Sequence, residues 1–115
     1  MWGTCQGFQQ LNQWSVGMDP VILHSTGDST ENVALALEFT AAVADSGLLG
    51  SAPQSIVATL GNSATTLNLH SYSVLLNESQ AHPVMADTWS VLATNAVEGG
   101  PTFISLMEGK TLPYV

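Results

Sequence analysis

A chain of 115 residues and 12.1 kDa, 45% of it hydrophobic, is long enough for one domain with a buried core. Its charge is lopsided, because nine carboxylates face a single basic residue, Lys110, for a formal net charge of −8. That deficit of Lys and Arg excludes a nucleic-acid binder, which must neutralise phosphates, and removes attraction to an anionic membrane surface.

Met1 to Thr4 reads as the end of an apolar strand giving way to a helix. Gly7 to Val16 carries Phe8, Leu11, Trp14 and Val16 at near-helical spacing, and Gly17 is placed to end that helix. "PVILHST" (20–26) reads as a strand, and "STGDST" (25–30) as a turn of small polar residues. "NVALALEFT" (32–40) alternates Val33, Leu35, Leu37 and Phe39, the pattern of a strand with one buried face, although its alanines also tolerate a helix. A short helix is expected over 41–48, and a second one with Pro53 in its first turn, ended by Gly61-Asn62.

"TTLNLHSYSVLL" (65–76) looks extended, and "NESQAHPVMAD" (77–87) looks like a short helix begun by Asn77 and disturbed at Pro83. "TWSVLATNAV" (88–97) and "TFISLME" (102–108) read as strands joined by "EGGP", and "LPYV" (112–115) as the start of another. Strands mixed with short helices give an α/β class, and a sheet lacking neighbours at both ends suggests an incomplete domain. No apolar run is long enough to span a membrane, and the first residues lack the basic and apolar regions of a signal peptide. Asn77-Glu78-Ser79 is an N-glycosylation triplet.

The one cysteine stands in Gly3-Thr4-Cys5-Gln6-Gly7, a G-x-C-x-G pattern. A strand-to-helix turn of this kind lifts a nucleophile onto a strained tip, and its neighbours two residues away must be tiny to avoid collision. The helix behind it directs free N–H groups and its positive dipole end at the sulfur, favouring the thiolate. The backbone N–H of Gln6 is then placed to serve half of an oxyanion hole. Cys5 is therefore the candidate nucleophile.

"WGTCQGFQQL" resembles the nucleophile segment of gamma-glutamyl hydrolases, cysteine peptidases of the class I glutamine amidotransferase-like group. "NVALALEFT", "TLNLHSYSV", "NESQ", "SVLATNA" and "FISLMEGKTLPYV" follow in similar order and spacing, so the resemblance covers nearly the whole chain (1–115) as one partial domain. It implies a three-layer, flavodoxin-like α/β fold incomplete at both ends, no cofactor, and a Cys-His-Glu site. There Cys5 attacks a γ-glutamyl amide of a folate polyglutamate, forming a thioester that water hydrolyses. It also implies a lysosomal, vacuolar or extracellular setting, and a homodimer for the full-length protein. Gln6 departs from a more usual leucine, and Gln9 and Gln10 stand where "GFEEL" has acids.

Such a nucleophile needs a histidine base held by a carboxylate. His24 reads as a strand residue and His82 as a surface residue, while His70 matches a histidine the hydrolases place on the substrate side of the cleft. The family's base lies in a "G-x-Q-W-H-P-E"-like segment beyond the strand corresponding to Leu112–Val115. The resemblance thus implies that the isolated chain lacks its base and half its oxyanion hole, and does not turn over. Two further readings stand beside it: a glutamine amidotransferase domain, and a catalytically dead truncated product with a binding role. No Cys/His cluster has metal-ligand spacing.

Overall fold

The computed structural model of the chain describes residues 1–19 and 22–111. Met1 to Thr4, expected as strand, pairs with no strand among these residues, and the chain turns at Cys5 directly into helix α1 (Gln6–Ser15). An extended segment becomes a strand only where a neighbour supplies hydrogen bonds, and none of the described strands pairs with it. Helix α1 buries Leu11 and Asn12 and ends at Gly17, whose φ of 69° is cheap for glycine, followed by Met18 at φ 68°.

Three small antiparallel sheets follow. β1 (Leu23–Ser25) pairs with β5 (Tyr72–Val74), setting His24 opposite Ser73. β2 (Glu31–Leu35) pairs with β4 (Thr66–Leu69), with a register shift between Glu31 and Val33. Asn32, at φ 56°, takes up that irregularity. β3 (Glu38–Phe39), β6 (Trp89–Asn95) and β7 (Phe103–Gly109) form the third sheet.

The expected single strand over 32–40 is thus two strands in two sheets. Alternation along it persists, with Leu37 buried and Glu38 exposed, but the path breaks at Ala36–Leu37. There the Asn95 amide donates to the Ala36 carbonyl at 2.6 Å, and the Leu37 N–H donates to the Leu60 carbonyl at 2.8 Å. The segment 65–76 is likewise two strands, broken at His70–Ser71. The expected helix over 41–48 is a tighter 3₁₀ turn at Ala41–Asp45, capped by the Thr40 hydroxyl accepting the Ala42 N–H at 3.2 Å.

The helix expected at Pro53 is α2 (Gln54–Asn62), with Pro53 as the residue that precedes its first turn and not part of it. The helix expected from Asn77 begins one residue earlier, without a side-chain cap, as α3 (Leu76–Ala81). Pro83 then starts a separate helix, α4 (Pro83–Thr88), because its ring suits the first helical position and denies α3 a continuing N–H. The strand expected over 20–26 is seen as β1; the first two residues of that run, like the strand expected at 112–115, lie outside the described residues.

One cluster, Leu11, Ile22, Val74, Met85, Trp89, Ile104 and Met107, joins α1, β5, α4, β6 and β7. It anchors α1 against α4 and β5. The Trp89 Nε1–H reinforces this anchor by donating to the Ser15 hydroxyl at 3.0 Å. The whole is a mixed α/β arrangement. No helix among the described residues is long and apolar enough to cross a membrane.

Candidate active site

Cys5 is the residue preceding α1, with φ 52° and ψ −119°. Positive φ is uncommon for a residue with a side chain and stores roughly 1–3 kcal/mol. The Gly7 N–H donates to the Thr4 carbonyl at 2.9 Å and the Gln9 N–H to the Cys5 carbonyl at 3.1 Å, closing the turn around the cysteine. The thiol is exposed. Gln6, the first helical residue, is exposed too, and its N–H has no acceptor within the helix.

The two flanking glycines do different work. A Cβ on Gly3 would come within 2.7 Å of the Gly7 carbonyl and of Leu11 Cδ1, so Gly3 permits the close return of chain onto helix. At Gly7 an added Cβ would meet nothing within 4 Å. The expectation that both must be tiny therefore holds for Gly3 alone.

Cys5 opens onto a cavity of about 380 Å³. Phe8 and Gln9 line it from α1, Asn68 and His70 from β4 and the turn after it, and Phe103 from β7. No Lys, Arg, Asp or Glu is among its lining residues. The fold thus brings Cys5 and His70 to one cavity, while His24 and His82 do not line it. His24 sits on β1 and His82 between α3 and α4, each with one buried ring nitrogen lacking a hydrogen-bond partner. No group of three His, Cys, Asp or Glu among the described residues could hold a metal ion.

The His70 ring is held on three sides. Nε2 lies 3.1 Å from Asn68 Oδ1, Nδ1 lies 3.2 Å from the Ser73 hydroxyl, and the ring meets Phe103 edge-to-face at 5.6 Å. Its main chain is held as well, since the His70 carbonyl accepts the hydroxyl of buried Thr30. Burial pushes its pKa below the usual histidine value, and a hydrogen bond with the Tyr72 backbone works in the opposite direction. The Gln9 amide donates to the Tyr72 carbonyl at 2.8 Å, tying the second turn of the cysteine helix to the strand beside His70.

Asn68, Ser73 and the Gln9 contact were not singled out from sequence as parts of a site. The only available signal was their spacing around His70, N-x-H-x-x-S, which has no meaning until the turn at His70–Ser71 folds it together.

Comparison with known proteins gives these observations a family context. Gamma-glutamyl hydrolase of Homo sapiens is 31% identical over 113 residues, which is 98% of this chain and 34% of the human protein. This chain is homologous to gamma-glutamyl hydrolases. Gamma-glutamyl hydrolase B of Dictyostelium discoideum is 29% identical over 113 residues, covering 98% of the chain and 32% of that protein. Gamma-glutamyl hydrolase of Mus musculus is 30% identical over the same length. The chain spans about a third of the length of these curated hydrolases. No family model matches it.

Proposed function

We propose that the chain carries the nucleophile-bearing part of a gamma-glutamyl hydrolase, a cysteine hydrolase acting on γ-glutamyl bonds such as those of folate polyglutamates. The observation that carries this reading is the backbone of Cys5, held at positive φ at the head of α1 with its thiol open to an apolar cavity. The names of the homologous proteins supply the bond type.

In this reading the Cys5 sulfur adds to the amide carbon, and charge on the carbonyl oxygen is met by the N–H of Gln6. The C–N bond then breaks as the leaving amine takes a proton, and water hydrolyses the thioester to free the γ-carboxylate and the thiol. His70 lies on the substrate side of the cavity and contributes to binding. Both its ring nitrogens face side-chain partners, which supports placing the base for Cys5 elsewhere. The base belongs to the part of the hydrolases outside the matched third, and the 115-residue chain alone is inactive. The complete protein adopts the three-layer α/β fold and works in a lysosome, a vacuole or outside the cell.

The test is an assay of γ-glutamyl cleavage by the 115-residue chain and by a longer polypeptide joining it to the remaining segments of one relative. The longer protein is expected to cleave, the short one not, and Cys5→Ala in the longer protein to abolish cleavage. Undiminished turnover by that variant would refute the nucleophile assignment.

A further inference from the structure

The Asn68 side chain is nearly buried, and its amide nitrogen points at two carbonyls, those of Thr66 at 3.1 Å and Val33 at 3.3 Å. This fixes the amide's orientation, because the flipped form would set Oδ1 against both carbonyl oxygens. With the nitrogen so engaged, Oδ1 is the atom that faces His70 Nε2, and it can only accept. Nε2 must therefore carry a proton. In the neutral ring Nδ1 is then a lone pair that accepts from the nearly buried Ser73 hydroxyl, and the Tyr72 backbone, which favours the protonated ring, is the contact opposing that state.

We propose that Asn68 and Ser73 are positioning residues that hold His70 as the neutral tautomer protonated on Nε2, with its ring plane fixed against Phe103. Burial of the ring works in the same direction by favouring the uncharged form. The consequence for substrate rests on the cavity being the hydrolase site, whereas the tautomer assignment does not. With His70 neutral, the cavity wall presents no cation to a polyanionic γ-glutamyl chain. A positive charge arises there only when Nδ1 takes a proton and Ser73 turns from donor to acceptor. The titratable groups around the cavity and the turn are Cys5 at the head of α1, Tyr72 on β5, and Glu31 on β2, whose carboxylate accepts the Ser71 hydroxyl.

The experiment is two-dimensional ¹H–¹⁵N correlation of the ring nitrogens in the ¹⁵N-histidine-labelled 115-residue chain, with His70 assigned by loss of its signals in His70→Gln. The expected result is one tautomer, Nε2 protonated and Nδ1 bare, with an Nε2–H that exchanges slowly with water. Ser73→Ala removes the partner of Nδ1 but leaves the Asn68 acceptor in place, so it should retain the Nε2–H tautomer while shifting the Nδ1 resonance. Asn68→Leu should release the ring into a tautomer mixture with Nε2–H exchange at least about tenfold faster. Should the leucine variant fail to fold, the wild-type spectrum still decides. An Nδ1–H tautomer, a mixture, or a freely exchanging Nε2–H would overturn the proposal. None of these readouts depends on turnover, so loss of the Cys5 reading and loss of this one are separately visible.

Discussion

Gly3 approaches Gly7 so closely that a Cβ on the first would lie 2.7 Å from the carbonyl carbon and oxygen of the second. This contact lets the chain fold back against α1 and leaves Cys5 at the outside of the bend. Gly3→Ala must push the Gly7 backbone as well as the Leu11 side chain, and should cost about 1–3 kcal/mol. Gly7→Ala meets open space inside a helix and should gain up to about 1 kcal/mol. Urea unfolding midpoints of the two variants should fall on opposite sides of the parent.

Cys5 carries its strain in φ, which glycine relieves and alanine does not. Cys5→Gly should therefore be about 1 kcal/mol more stable than Cys5→Ala by the same unfolding measurement. Both variants lose the only thiol in the chain, so the comparison isolates the backbone contribution. Equal midpoints would contradict the strained bend.

Ser15 and Trp89, 74 residues apart, tie α1 to β6 through a bond of 3.0 Å. Ser15→Ala removes the acceptor while leaving the indole packed, at a cost of about 1 kcal/mol. Trp89→Ala also deletes a buried ring and should cost about 3–5 kcal/mol. Tryptophan fluorescence followed through denaturation distinguishes the two magnitudes.

Folding lowers the pKa of His70 because burial penalises the imidazolium. The unfolded chain then binds more protons than the folded one below about pH 6.5, so this residue's contribution to stability is full above that value. It is lost progressively as pH falls through the lower folded-state pKa. Unfolding midpoints measured between about pH 7.5 and 5.5 should decline toward acid, and His70→Gln should flatten that slope.

The bend at Cys5 was legible because the residues specifying it are adjacent: Gly3, the cysteine and the helical spacing of Phe8 and Leu11. The mixed α/β character and the strands β6 and β7 were legible for the same reason, each being a local run of β-branched and apolar residues. The division of residues 32–40 between two sheets was not. Val33, Leu35, Leu37 and Phe39 alternate without interruption, and the break between them is held by Leu60 and Asn95, remote in sequence. The open space beside Gly7 and the environment of His70 were hidden likewise, since both depend on which segments the bends at Cys5 and His70–Ser71 bring together.

A solitary, accessible sulfur at the lip of a hollow also governs how the molecule behaves in air. There is no second cysteine within these 115 residues, so a disulfide formed by this polypeptide alone joins two copies. Such a crosslinked pair would meet lip to lip, each copy crowding the entrance of the other. A preparation aged without reductant would then exclude small molecules for a reason unrelated to their fit.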